Sequence, residues 1–455
     1  MNFDHIKTIH FAGIGGIGMS GLAEILADWG FAVSGCDLRP PSPELLAGRG
    51  IAVAAGHDPI HLDGVDLLVV TSAIRGANPE VEEALRRGIP VVKRAEVLGE
   101  IVNRRRGIGV SGTHGKTTTS AMIAMVLQEA GLDPTMVVGG VVRNFSTNAK
   151  TGKGEYIVAE ADEYDRSFHH LHPEVAVVTN IEPDHLEYYG SFEAIVEAFG
   201  RFVGGIAPGG VVVGCADDES VASLLDAVPR RVVRYGLSRS AALRAEDLSF
   251  STRGTSFEVI SDGRRLGTFR LSVPGEHNVR NALAAIAVGL ELGIRTQVIA
   301  AALAKFIGVG RRFQILGECA GAIVVDDYAH HPTEIRATLS AARGGYPGRR
   351  IVALFQPHLY TRTRDFAAEF ARALSAADVA LLVPIYAARE EAIEGISSRL
   401  ISEAPGGERI EYLDGANDEI AGRVRGRLTA NDLFITMGAG DVHTIAEALV
   451  AGEAR

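Results

Sequence analysis

Cysteine is scarce in this 455-residue chain: Cys36, Cys215 and Cys319 are scattered and odd in number, with no CxxC and no His/Cys cluster along the sequence. A disulfide framework and a structural zinc motif are therefore not expected, and a reducing cytosol is. Long apolar runs are missing too. No segment approaches 18 uninterrupted apolar residues, and the opening MNFDHIKTIHFAGIGG carries an early acid without an apolar stretch and cleavage site. Neither membrane spanning nor export is supported, and the expected location is cytoplasmic. Positive charge is also in deficit, 45 Lys and Arg against 56 Asp and Glu for a net −11. That excludes a general nucleic-acid or anionic-membrane binder, while a basic pocket for an anionic substrate stays open. Short-period repeats and low-complexity segments are absent.

The length calls for two to four domains. Short β-branched runs alternate with longer amphipathic stretches, the pattern of parallel βαβ units, so the fold class is α/β. The runs at 8–12, 65–70, 107–110, 157–160, 175–180, 323–326, 351–355, 379–383 and 433–437 predict strands; 18–30, 117–130 and 278–292 predict helices. A basic, polar break at Asn103–Arg106 and the stretch near Phe313–Gly317 mark boundaries. Three domains in series follow: 1–104, 105–314 and 315–455. Residues 232–273 read as short antiparallel strands inserted in the middle one.

Two glycine loops carry the chemistry. Gly13-Ile14-Gly15-Gly16-Ile17-Gly18 follows a strand and opens a helix, where bare backbone and free N–H groups suit a diphosphate. Asp37 lies about 20 residues on, where a ribose-binding acid belongs. An NAD(P) dehydrogenase fits this loop equally well. The second loop, Gly112-Thr113-His114-Gly115-Lys116-Thr117-Thr118-Thr119, again joins a strand to a helix. Its N–H groups would cradle phosphates, Lys116 would reach the β/γ oxygens and the Thr117 hydroxyl would ligate Mg²⁺. Val110 stands where the strict Walker pattern has glycine, so this is a variant of the form GTxGKTT.

Further polar groups gather at predicted strand ends. The run from Glu160 to Asp165 and the triplet Pro183-Asp184-His185 offer oxygen and imidazole ligands for a nucleotide-bound metal; a solvated acidic loop is the alternative reading. Asn278 and Asn281 share a helix face, so their amides could read a purine edge or cap the helix. Arg311-Arg312-Phe313 suits either a solvated linker or a phosphate clamp. Asp326-Asp327-Tyr328-Ala329-His330-His331-Pro332 gathers two acids and two histidines at one strand end. At another, Gln356-Pro357-His358-Leu359-Tyr360-Thr361-Arg362-Thr363-Arg364 supplies arginines suited to carboxylate or phosphate.

Taken together and in order, HFAGIGGIGMSG, GTHGKTTT, EADEYDRSF, NIEPDHLEYYG, GEHNVRNALAA, GVGRRF, DDYAHHPTEI and FQPHLYTRTR resemble the Mur ligases, across nearly the whole chain. The first motif with DDYAHHP is most similar to the alanine-adding branch. The resemblance implies an N-terminal Rossmann-like domain for a UDP-sugar, a central P-loop ATPase-like domain and a C-terminal Rossmann-like domain. It implies ATP and Mg²⁺, with UDP-N-acetylmuramate and L-alanine as the other substrates and a monomer or weak homodimer. ATP phosphates would meet Gly112, Thr113, His114, Gly115, Lys116, Thr117 and Thr118. Asn278 and Asn281 would hold adenine, and Arg312 and Asp327 would contact the nucleotide. The metal would take Thr117, Glu160 and His185. The UDP-sugar would meet Gly15, Gly16, Gly18, Asp37 and Ser72. His330 would lie near the amino acid, and Arg362 near the carboxylate or the transferred phosphoryl group, completing a catalytic set with Lys116.

One departure is informative. Later-acting Mur ligases carry a carbamylated lysine some 15 residues after the acid of the PDH-like motif, and that count lands on Phe199. A dehydrogenase leaves the second loop and the metal carboxylates without purpose. A sister ligase adding a tripeptide or another amino acid is the second alternative, and a nucleotide-sensing module the third.

Overall fold

The computed structural model describes residues 3–39, 46–71, 74, 77–388 and 390–452. Ser72 lies outside the described residues. Every strand marked above forms, most with ends shifted by one or two residues: Thr8–Ala12 is unchanged, while 107–110 extends to Arg106–Ser111 and 65–70 shortens to Leu67–Val70. The helices shift similarly, to Ile17–Asp28, Lys116–Glu129 and Glu276–Glu291. Periodicity locates elements well because it reports burial, whereas the final hydrogen bond of each element depends on its neighbours.

Three sheets result, an α/β fold. The first runs in the order Ala52–Ala55, Ala32–Asp37, Thr8–Ala12, Leu67–Val70, Val91–Lys93, all parallel. Its order reverses beside Thr8–Ala12, so the first glycine loop emerges at the switch point, where open α/β sheets bind ligands. The second sheet has ten strands: Arg264–Leu271, Gly254–Ser261, Leu243–Ser251, Arg231–Gly236, Val211–Cys215, Val175–Val178, Arg106–Ser111, Tyr156–Glu160, Thr135–Val142 and Thr147–Lys150. The third runs Gln314–Cys319, Ala322–Asp327, Asp432–Met437, Arg350–Phe355, Val379–Leu382, Ile410–Tyr412. Its first strand is antiparallel and the rest are parallel.

The expectation for 232–273 needs one correction. Arg231–Gly236 runs parallel to both neighbours, because the helix Glu219–Ala227 returns the chain as a crossover. Hydrophobic alternation encodes a half-buried strand but not its direction. The ribbon proper starts at Leu243, and Asp262-Gly263, both at positive φ, makes the tight turn before Arg264–Leu271.

By packing, the described chain forms two units. One comprises Met1–Glu246, Glu258–Gly267 and Arg280–Leu303; the other comprises Asp247–Phe257, Thr268–Val279 and Ala304–Arg455. Within the former, the break at 103–106 is docked. Asn103 donates to His170 O at 3.0 Å and accepts from His172 N at 2.7 Å, and any side chain at Gly99 would strike the His170 carbonyl. A shared apolar core, from Phe11 and Leu98 to Phe168 and Phe202, runs through this unit.

Phe199 belongs to that core. It is fully buried on the helix Phe192–Gly204, edge-on to Phe168 at 5.2 Å, while Phe168 stacks on Phe202. A lysine there would bury an ammonium among aromatic rings. Phe199→Lys is expected to cost more than about 3 kcal/mol, against about 1.5 or less for Phe199→Leu. Urea titration at unchanged slope would show it, and equal midpoints for the two variants would contradict it.

Candidate active site

The strand Arg106–Ser111 lies between Val175–Val178 and Tyr156–Glu160 in the ten-stranded sheet, and its end sets the second loop. Gly112 has φ +138°, and a Cβ there would lie 1.9 Å from Thr179 Oγ1; Gly115 has φ +84° and faces Asn281 Oδ1. Both positions require glycine. The neighbouring strand end grips the loop. Asn180 accepts from His114 N at 2.8 Å and donates to His114 O at 3.0 Å, while its carbonyl takes Thr113 N. Thr179 donates to His114 O at 2.6 Å, and Glu182 N donates to Thr113 Oγ1 at 2.9 Å. The loop is thus shaped by residues far away in sequence.

Lys116 opens the helix Lys116–Glu129 and turns back over the loop. Its Nζ donates to Gly112 O at 2.7 Å and to Thr113 O, and pairs with Glu163 at 2.7 and 2.9 Å. Burial works against its charge, but Glu163, Asp162 and Glu160 outweigh burial and hold the ammonium above the ordinary lysine value. Glu160 ends its strand level with Val110, one rung before the loop, and its carboxylate lies over Gly139, which leaves room for it. His185 has φ +54°, within van der Waals reach of Tyr164 at a ring separation of 4.9 Å, with Asp184 and Glu187 beside its nitrogens.

Asn281 is buried against the same helix and accepts from Thr119 Oγ1 at 3.2 Å. Asn278, also buried, donates to Pro274 O at 2.7 Å, which anchors the entry to its helix.

In the first loop, Asp37 faces the glycines. It accepts from Gly15 N at 2.9 Å and from Arg39 N at 2.9 Å, and a Cβ on Gly15 would strike it. Gly18 packs under the Arg94 guanidinium, and Gly16 caps the helix Ile17–Asp28. Beyond the carboxyl ends of this sheet lies a cavity of about 430 Å³ lined by Thr71, Ile74, Lys93, Tyr164 and Asp165, with Lys93 and Asp165 paired at 2.9 Å.

In the other unit, Asp327 is buried and accepts from Phe313 N at 2.9 Å and Ala329 N at 2.8 Å. Burial pushes it up to about 6, against the pull of Arg312 and those amides. Arg312 pairs with Glu334 at 3.2 Å. His330 directs Nδ1 to Tyr328 O at 3.0 Å and stands edge-on to His358. Arg362 is buried near the start of the helix Tyr360–Leu374.

Sequence reasoning missed Thr179, Asn180, Glu163, Arg94 and the Lys93–Asp165 pair. Asn180 and Glu163 stood inside recognised motifs, but nothing local says which acid meets the lysine.

Three family models match this chain in sequence order. Residues 8–106 match "Mur ligase family, catalytic domain", 110–289 "Mur ligase middle domain" and 311–440 "Mur ligase, glutamate ligase domain". The UDP-N-acetylmuramate–L-alanine ligase of Anaeromyxobacter dehalogenans is 47% identical over 447 residues, 97% of each chain. The chain belongs to the Mur ligase family. Mur ligases are ATP-dependent, and this chain is accordingly an ATP-dependent ligase. The crystal structure of the UDP-N-acetylmuramate–alanine ligase of Thermotoga maritima superposes with a TM-score of 0.83 at 31% identity, covering 99% of both chains. A murein peptide ligase from Psychrobacter arcticus gives 0.70 at 28%, covering 98% of both.

Two outcomes follow from these geometries. Glu163→Gln removes the direct ion-pair partner of Lys116 and leaves it two loop carbonyls and the charges of Asp162 and Glu160, at a cost of up to about 3 kcal/mol in the absence of nucleotide. On the expectation that Lys116 meets the phosphates of ATP, an ATP analogue should raise the variant's melting temperature more than the wild type's. Equal shifts in a thermal melt would contradict the pairing. Asp327 titrates higher folded than its ordinary 3.8, so its stabilising contribution is full below 3.8 and lost as pH rises to about 6. The melting temperature of the wild type relative to Asp327→Asn should therefore fall across that interval and then level off, as calorimetry across the interval would record.

Proposed function

We propose that this chain joins L-alanine to the lactyl carboxylate of UDP-N-acetylmuramate, with ATP converted to ADP and phosphate, in peptidoglycan precursor synthesis. The observation that carries the reading is the 47% identity over nearly the full length to an enzyme of that name, together with a phosphate loop built as a ligase needs it. The division into 1–104, 105–314 and 315–455 is supported by three sheets, at 8–93, 106–271 and 314–437, the last starting one residue before the final boundary.

A carboxylate does not condense with an amine in water, so it must first be activated. A lactyl carboxylate oxygen attacks the γ-phosphorus of ATP, the bond from that phosphorus to the β–γ bridging oxygen breaks, and ADP leaves. The amine nitrogen of alanine then attacks the acyl carbon, phosphate departs, and the amine loses a proton. Lys116 is placed to exchange Glu163 for the β/γ oxygens, while the N–H groups from Gly112 to Thr118 hold the phosphates. With its proton on Nδ1 toward Tyr328 O, His330 presents Nε2 as acceptor for the amine proton. Arg362 neutralises the phosphoryl group or the carboxylate, and Arg312 and Asp327 serve the nucleotide. Asn281 and Asn278 hold adenine.

Mg²⁺ suits the donors present: the Thr117 hydroxyl, the Glu160 carboxylate one rung from the loop, and His185. Bound there, it would neutralise charge on the phosphates. In the first loop, Gly15, Gly16 and Gly18 receive the UDP diphosphate, with Arg94 adding a cation and Asp37 exchanging the Gly15 amide for a ribose hydroxyl. Reaction in the cytoplasm fits the absence, among the described residues, of any helix long and apolar enough to cross a membrane.

Phosphate release with UDP-N-acetylmuramate, screened over L-alanine, glycine, L-serine and a preformed tripeptide, tests the reading. Turnover is expected with L-alanine. Preference for the tripeptide would transfer the chain to the sister branch. Lys116→Ala should abolish turnover yet leave UDP-N-acetylmuramate binding intact by calorimetry, because the two loops serve different ligands.

A further inference from the structure

Beneath the first glycine loop, four groups from separate parts of the chain meet out of contact with the reaction just described. Glu80 opens the helix Pro79–Arg87 with its carboxylate fully buried. Cys36 Sγ lies 3.1 and 3.0 Å from the two Glu80 oxygens, and His61 Nδ1 lies 2.7 Å from Oε1. His10, 2% exposed, directs Nε2 toward Glu80 Oε1 at 3.5 Å, beyond a good hydrogen bond, and that buried nitrogen has no hydrogen-bond partner. All four donor atoms lie within 4.8 Å of one another.

We propose that His10, Cys36, His61 and Glu80 bind one divalent cation of the zinc class. The donor set is sulfur, two imidazole nitrogens and a carboxylate oxygen, the types zinc takes, and four is its usual number. A thiolate and a carboxylate balance the two positive charges, so the occupied site is neutral and tolerates burial. A tetrahedral ion with bonds of about 2.0–2.3 Å sets its ligands about 3.3–3.7 Å apart, and the present spacings, from 2.7 Å to no more than 4.8 Å, bracket that range.

The surroundings favour an ion over a plain hydrogen-bond network. His10 Nδ1 is held by Ser34 Oγ at 2.8 Å, which fixes the ring so that Nε2 points inward. His57 Nδ1 lies 3.0 Å from Glu80 Oε2, orienting the carboxylate from its other oxygen. Ligating groups are commonly steadied in this way from behind. The buried Nε2 lies too far from Glu80 for a good hydrogen bond, and an ion between the two would engage it. On binding, the Cys36 S–H proton passes to solvent as the sulfur–metal bond forms. The main-chain oxygen of Cys36 accepts from Gly13 N and Ile14 N at 2.8 and 3.0 Å, so the ion would brace the base of the glycine loop.

The inference is independent of the ligase reading, and its test does not use activity. The full chain, stripped with a chelator, is titrated with Co²⁺ and then competed with Zn²⁺. One equivalent of Co²⁺ is expected to bring a thiolate-to-cobalt charge-transfer absorption and the visible bands of a tetrahedral ion. Zn²⁺ is expected to bleach both. Cys36→Ser should abolish the charge-transfer band. Ser34→Ala, which leaves every ligand in place, should weaken Co²⁺ binding about 10–100-fold. Should Cys36→Ser not fold, the half-buried His61→Gln is expected to lose the tetrahedral bands instead. His185→Ala, at the nucleotide-metal position, should leave the titration unmoved. Absence of a thiolate band at stoichiometric Co²⁺, or full-affinity binding by Ser34→Ala and His61→Gln, would overturn the proposal.

Discussion

The hydrogen bonds that tie Thr179 and Asn180 to the backbone of His114 are the constraint on which the second glycine loop rests. A phosphate loop works only if its N–H groups converge, and glycine-rich backbone left alone samples many shapes. Here an amide side chain takes both the N–H and the carbonyl of one loop residue, while a hydroxyl takes the same carbonyl. Those side chains follow the strand Val175–Val178, paired rung for rung with Arg106–Ser111, so sheet register sets loop shape. Lys116, the start of its helix and the carboxylates around it inherit their positions from that register.

Both glycine loops carry their own carboxylate. Asp37 sits on the Gly15 amide, and Glu163 sits on Lys116. An internal acid keeps each cationic or N–H-rich site paired, so any phosphate binding there must displace a carboxylate that then needs other donors. The exchange weakens raw affinity and leaves selectivity to the geometry of the phosphates. In the other unit Asp327 is spent differently, accepting two backbone N–H groups that fix the turn around Phe313 and Ala329.

Much of this was legible in the sequence. Strand, glycine loop, Lys-Thr and helix form one local signal, so the place of Gly112 to Thr118 between strand and helix was readable, as was Glu160 at a strand end. Asn180 was quoted within a motif, yet its grip on His114 depends on which strands become neighbours. The direction of Arg231–Gly236 was misread because alternation carries no polarity. His10, Cys36, His61 and Glu80 were invisible as a group, since each comes from a different element and only the parallel sheet with its crossovers gathers them. Linear cysteine spacing reveals a metal site only where the ligands share a hairpin or helix.

The third sheet places Asp432–Met437 between Ala322–Asp327 and Arg350–Phe355, although it follows every other strand of that sheet in sequence. During synthesis the ribosome must therefore release almost the whole segment before its centre can close. Until then Val325 and Ala353 border an open gap, with unpaired N–H and C=O groups on both sides. At ribosomal rates of about 5–20 residues per second, this half-sheet persists for seconds after its first strands emerge. The first sheet has no such delay, because Thr8–Ala12, its central strand, leads. The carboxyl-terminal segment is therefore one whose sheet can close only when its last strand has emerged.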